Sequence, residues 1–306
     1  MYTFTERQQW ALDKFAELAA QLGSQKKAAA RIGVSDGSIS SIKKGTYGAD
    51  PTGYLDRLIA YFETKEAAAE NYTPGTYVKT SISEDVYAVI RNCHLQGGLA
   101  IACGDAGIGK TEAAKQYART YPSSCIMITA NPCFRSPKSM MKLLGTELNV
   151  SANAADDLWL AIVNKLSDGT VIIFDEAQHL SLRTIETLRS FSDWFDSKGQ
   201  TLGICFIGNQ ETIGRLGGKQ KAEFAQIRNR TKLTRTYSAQ KITRDDLSLL
   251  FPSLFGKDME LDFMLKIAHS QQAIRGAVNL FANAYSNEDV SYKGLVGMAK
   301  DMNMEV

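Results

Sequence analysis

The 306-residue chain is predicted to be an α/β protein, a parallel sheet covered by helices, with an all-helical region before it and a smaller helical one after it. Three observations predict this. Four short apolar runs, Leu99 to Cys103, Cys125 to Ala130, Val171 to Phe174 and Leu202 to Ile207, alternate with longer amphipathic segments, as buried parallel strands and their crossover helices do. A glycine-rich loop directly follows the first run. The first 70 residues instead carry apolar side chains at helical spacing. A composition of 44% hydrophobic and 22% charged residues excludes a disordered or fibrous chain. No run is long enough to span a membrane, and Met1 to Ala20 does not read as a secretory signal, so a cytoplasmic protein without membrane contact is expected. The five cysteines form no C-x-x-C pair, and Cys103, Cys125 and Cys205 lie inside apolar runs. That fits a reducing compartment, and three histidines without ligand spacing argue against structural zinc.

Residues 1–70 form the first expected domain. Trp10, Leu12, Phe15, Leu18, Ala19 and Leu22 keep helical spacing, and Leu55, Leu58, Ile59 and Phe62 repeat it. Between them, Gln25 to Ile42 has the form of a helix, a turn at Gly33, a Ser N-cap and a second helix, which resembles a helix-turn-helix of the phage-repressor type. Ala29, Ile32, Val34, Ile39 and Ile42 would pack inward, leaving Ser38, Ser40, Ser41, Lys43 and Lys44 outward. With Lys26 and Lys27, the candidate DNA contacts here are Lys26, Lys27, Ser38, Ser41, Lys43 and Lys44. Small hydroxyls and lysines suit phosphate contact better than base reading. A helical protein-docking module is the alternative.

A Pro-Gly break in NYTPGTYVKT places a linker at residues 71–81, and the sheet domain spans 82–238. Gly104-Asp105-Ala106-Gly107-Ile108-Gly109-Lys110-Thr111 matches G-x-x-x-x-G-K-T between an apolar strand and the helix-forming run that begins at Glu112. Glycines let backbone N–H groups turn toward phosphates, and the helix N-terminus adds partial positive charge. Lys110 can reach the β and γ phosphates, and the Thr111 hydroxyl can ligate magnesium. An ordinary glycine turn has no need of adjacent Lys and Thr. About 65 residues later Val171 to Phe174 ends in Asp175 and Glu176. Asp175 can hold Mg2+ and Glu176 can polarise an attacking water, so ATP with Mg2+ is the expected ligand pair. The fourth run ends in Asn209, at a position where a polar group would lie near the γ phosphate; Asn is also common at strand ends for its tolerance of turns.

Strand, phosphate loop, acidic strand end and Asn209 occur in the order that resembles the AAA+ ATPases, over about Ser81 to Tyr285. The resemblance implies an AAA+ P-loop NTPase with a small C-terminal helical lid at residues 239–306, where Leu247 to Leu250, Phe263 to Ile267 and Ile274 to Phe281 read as helices. It implies that Asn209 is sensor 1, that Arg230 is the arginine finger with Arg228 as competitor, and that Arg275 is sensor 2. A phosphate contact to nucleic acid, or a solvated charge, remains the other reading of each arginine. Lys232 to Tyr237, more polar than the other runs, reads as an edge strand.

The net charge of +2 conceals two basic blocks. Between Ser24 and Tyr47 five basic residues face Asp36 alone, and between Thr212 and Arg244 nine face Glu223 alone. Lys219 and Lys221 of the second block join the candidate DNA contacts. A helix-turn-helix ahead of such an ATPase resembles the Mu B-like family of phage DNA transposition proteins, through GDAGIGKTEAAKQY, VIIFDEAQHL, the tetrapeptide Glu223 to Gln226, and Ala273 to Leu280. The resemblance implies an ATPase that forms a helical homo-oligomer on double-stranded DNA with little sequence preference, and that activates a cognate transposase for strand transfer. A replication initiator or helicase loader shares this chemistry, and a nucleotide-gated transcription regulator is a third possibility.

Overall fold

Thr5 opens the first helix, α1 (Glu6–Gln21), with a capping box: its hydroxyl accepts from Gln8 N, and its own N–H donates to the Gln8 side chain. The computed structural model describes residues 2, 4–70, 77–212 and 231–304, without the side chains of residues 64–70. It divides into two compact units, Met1–Thr73 and Pro74–Val306. In the first, α1 is joined by α2 (Gln25–Ile32), α3 (Asp36–Lys43) and α4 (Thr52–Glu70). Their common core is Ala11, Leu12, Phe15, Ala28, Ala29, Ile39, Ile42, Leu55 and Leu58, with Ile32 and Val34 packed partly against it.

The turn between α2 and α3 has Gly33 at φ 76°, where a side chain would be strained, and Ser35 caps α3 by accepting from Ser38 N. Lys26, Lys27, Lys43 and Lys44 are exposed, and Ser38 and Ser41 are half-buried. Ser40 departs from the expected outward face. Gln25 Nε2 donates to Ser40 Oγ at 2.6 Å and to Asp36 Oδ1 at 2.7 Å, so Ser40 helps fasten the two helices together.

The second unit is built on five parallel strands: β1 (Gly98–Gly104), β2 (Cys125–Thr129), β3 (Thr170–Asp175), β4 (Leu202–Gly208) and β5 (Thr231–Tyr237). Their order is β2-β3-β4-β1-β5. β3 and β4 are buried throughout, which explains why they read as unbroken apolar runs. β5 lies at an edge and is largely exposed, in keeping with its polar sequence. Helices α7 (Pro137–Glu147), α8 (Ala155–Lys165) and α9 (Leu182–Asp196) pack on one face, over Leu99, Ile101, Ile172, Phe174, Ile204 and Phe206. The other face carries α5 (Ser81–Gln96) and α6 (Lys110–Thr120).

Four helices follow the sheet: α10 (Arg244–Leu250), α11 (Asp258–His269), α12 (Ala273–Ser286) and α13 (Tyr292–Asp301). Phe251 and Phe281 stack at 4.8 Å in their core. The last helix goes beyond the three that the sequence pattern indicates. Of its side chains only Leu295 and Ala299 are buried, and Gly294 and Gly297 weaken its helical signal. Asp246 fastens α10 to α5, since its carboxylate accepts from the N–H and hydroxyl of both Ser81 and Thr243, at 2.6 to 2.9 Å. Among the described residues no helix is long and apolar enough to cross a membrane.

Candidate active site

Because β4 lies between β3 and β1, the loop after β1 and the ends of β3 and β4 open side by side. They border a cavity of about 830 Å3 whose lining includes Ala106, Gly107, Gly109, Lys110, Thr111, Glu112, Asp175, Glu176, Asn209 and Arg275. The described candidates for the nucleotide and metal site thus lie together, apart from Gly104, Asp105 and Ile108 at the back of the loop. Arg228 and Arg230, with Lys219 and Lys221, lie outside the described residues. Lys26, Lys27, Ser38, Ser41, Lys43 and Lys44 belong to the first unit.

Gly104 must be a glycine, because an added Cβ would stand 2.0 Å from Tyr237 O. That approach lets Asp105 N donate to Tyr237 O at 3.1 Å, which ties the loop to β5. The Asp105 carboxylate accepts from Gln210 Nε2 at 2.9 Å and from Ala239 N at 2.8 Å. Asp105 therefore braces the loop from behind, and Ile108, fully buried, anchors it in the core. Glu112, in the first turn of α6, is exposed and pairs with Lys115 at 2.7 Å. Gly109 N-caps α6, so the helix begins at Lys110 with its orphan N–H groups toward the cavity.

Lys110 is 8% exposed, and its ammonium donates to Gly104 O at 3.0 Å and Asp105 O at 2.6 Å. Burial lowers its pKa, while Asp175 and Glu176 pull the other way. A triphosphate would supply the compensating charge. Thr111 Oγ1 donates to Asp175 Oδ2 at 2.9 Å. Burial raises the Asp175 pKa, opposed first by that hydrogen bond. A hydroxyl and a carboxylate placed together are hard oxygen donors of the type Mg2+ takes, so these residues fit the ion.

Glu176 follows in the left-handed region at φ 56°, an uncommon conformation for a non-glycine residue and one that concentrates at functional sites. Its carboxylate accepts a hydrogen bond from Gln178 Nε2. Asn209, half-buried, uses Oδ1 to accept from Glu211 N at 2.9 Å. On the lid side, Arg275 N donates to Gly107 O at 3.0 Å, so the start of α12 is bonded to the phosphate loop, and the Arg275 side chain is exposed beside it.

The sequence reading leaves several lining residues unassigned. Tyr77, Val78, Leu250, Ile274 and Val278 form an apolar part of the cavity, suited to a flat base. Gln178, buried between Glu176 and Asn209, stands inside the quoted VIIFDEAQHL segment, yet nothing local to it signals a role.

Residues 93–216 match the AAA domain family. The chain is similar to ATP-dependent target DNA activator B of Escherichia phage Mu, with 28% identity over 256 residues, 82% of this chain and 79% of that one. It is 22% identical over 267 residues to the Mu-like prophage FluMu DNA transposition protein B of Haemophilus influenzae, covering 86% of this chain and 90% of the relative. Among solved structures, the ADP form of the Aeropyrum pernix ORC2 protein superposes with a TM-score of 0.54 at 14% identity, over 76% of this chain and 70% of that chain. The fold is that of the AAA+ P-loop NTPases, and the similarities agree with the family resemblance read from the motifs.

Proposed function

We propose that this chain, an ATPase of the AAA+ fold, binds duplex DNA in its ATP-bound form with little sequence preference and presents that DNA to a transposase. The observation that carries the reading is the convergence of Lys110, Thr111, Asp175, Glu176 and Asn209 on one cavity, in a chain similar to a target DNA activator and a DNA transposition protein.

The loop N–H groups and Lys110 hold the β and γ phosphates, and the apolar cluster around Ile274 takes the base. Thr111 and Asp175 would hold Mg2+, which when bound neutralises charge on the phosphates. Glu176 accepts a proton from the attacking water as its oxygen bonds to the γ phosphorus and the bond to the β-phosphate oxygen breaks. Asn209 senses the γ phosphate from the end of β4, and Arg275 from the lid. A neighbouring copy contributes Arg230, or Arg228, so the active form is an oligomer along the DNA. Lys26, Lys27, Ser38, Ser41, Lys43, Lys44, Lys219 and Lys221 supply the phosphate contacts. Hydrolysis then dissolves the assembly.

Footprinting on a duplex of mixed sequence, with ATP present, tests this. Uniform, ATP-dependent protection is expected. A single operator bound far more tightly than its surroundings at equal salt would overturn the proposal in favour of a transcription regulator.

A further inference from the structure

Gln178 joins two strand ends that the chemistry needs in register. Its side chain is 8% exposed. Nε2 donates to Glu176 Oε2, and Oε1 accepts from Asn209 N at 3.2 Å. Chemistry alone fixes this orientation of the amide. A backbone N–H can only donate, so the atom facing Asn209 must be the oxygen; an ionised carboxylate can only accept, so the atom facing Glu176 must be the nitrogen. Room for the side chain exists because position 208 is glycine. A Cβ there would lie 2.6 Å from Gln178 Oε1 and 2.2 Å from Thr212 Oγ1.

We infer that Gln178 is a positioning residue for hydrolysis: it aims the Glu176 carboxylate and locks it to the end of β4, so that the base and Asn209 keep one geometry. The inference rests on the ATPase reading of Glu176 given above. Glu176 leaves β3 in a left-handed turn with no covalent reason to face the cavity, and a carboxylate on a two-carbon stem samples several rotamers. One hydrogen bond to an amide that is itself pinned by a strand end removes that freedom. Misplacing a reacting group by about 1 Å costs up to roughly a hundredfold in rate, whereas among the described residues the Gln178 side chain bonds to Glu176 and Asn209 and not to the phosphate loop.

The test is steady-state and single-turnover ATP hydrolysis by the full chain, with duplex DNA present, for wild type, Gln178→Ala, Gln178→Glu, Glu176→Gln and the Gln178→Ala/Glu176→Gln pair. Gln178→Glu is nearly isosteric and keeps an acceptor for Asn209 N–H, but it replaces the donor toward Glu176 with a second carboxylate that repels it. Gln178→Ala should lose roughly ten- to a hundredfold in kcat with KM for ATP within about twofold of wild type, and Gln178→Glu should lose at least as much in kcat. In the pair, loss of Gln178 should add nothing to the loss from Glu176→Gln, because Gln178 acts through that carboxylate. A wild-type kcat in Gln178→Glu, a KM rise matching the kcat loss, or additive losses in the pair would each overturn the inference while leaving the ATPase reading intact. If Glu176→Gln itself turns over like wild type, the role of Glu176 fails and the inference falls with it.

Discussion

The Thr111 hydroxyl donates to the Asp175 carboxylate across 2.9 Å, joining the first turn of α6 to the end of β3. Together these two groups would hold a bound Mg2+, directly or through water. Thr111→Val keeps the shape of the side chain and removes the oxygen, so half-maximal turnover should require roughly tenfold or more magnesium. Magnesium titration of ATP hydrolysis measures this, and an unchanged midpoint would remove Thr111 from the metal site.

Lys110→Ala should fold normally, since among the described residues the ammonium bonds to the loop carbonyls of Gly104 and Asp105 alone. Its affinity for ATP should fall at least roughly tenfold, because the triphosphate then loses the buried cation that compensates its charge. Titration with a fluorescent ATP analogue reads the change. Wild-type affinity would refute the site.

Glu176→Gln should bind ATP as wild type does and hydrolyse it roughly a hundredfold or more slowly. Complexes formed on DNA with ATP should consequently outlive those of wild type, as a dissociation chase can record.

Asp246 gives a stability prediction with a defined pH window. Burial alone would raise its pKa, but the hydrogen bonds from Ser81 and Thr243 outweigh burial and hold the carboxyl below its usual value. A depressed folded-state pKa contributes stability that is present above the unfolded value of about 4 and is lost as pH falls through the folded one. Asp246→Asn should therefore be less stable by roughly 1 to 3 kcal/mol at pH 7, with the difference shrinking below about pH 4. Denaturant melts at the two pH values check it.

Much of the fold and half of the site are legible in the sequence because their signals are local. Val171 to Phe174 must be apolar to sit buried in mid-sheet, and Gly104 to Thr111 carries its conformation in its own residues. Ser40 and Gln178 are not legible in this way. Ser40 turns toward Gln25 only once the two helices pack. Gln178 acquires its partners from the β3–β4 pairing and from the left-handed turn at Glu176, neither of which leaves a periodic trace. The apolar part of the cavity is hidden for the same reason, since Tyr77 and Ile274 are about 200 residues apart and meet only when α12 docks beside the phosphate loop.

The arginine finger is open to a mixing experiment. Arg230→Ala should bind ATP and hydrolyse it slowly, with a loss on the order of a thousandfold, and mixing it with Lys110→Ala should restore some hydrolysis. An intact loop from one copy would then meet an intact arginine from the other. If Arg228→Ala complements and Arg230→Ala does not, the finger is Arg228.

If ATP in this cavity governs attachment to DNA, fluorescence anisotropy of a random-sequence duplex will show it. Wild type should bind tightly with ATP and weakly with ADP or no nucleotide, Lys110→Ala should bind weakly in all three conditions, and the ATP-dependent affinity should fall steeply with salt. Equal affinity with and without ATP, or wild-type binding by Lys110→Ala, would mean that nucleotide in this cavity does not control DNA binding.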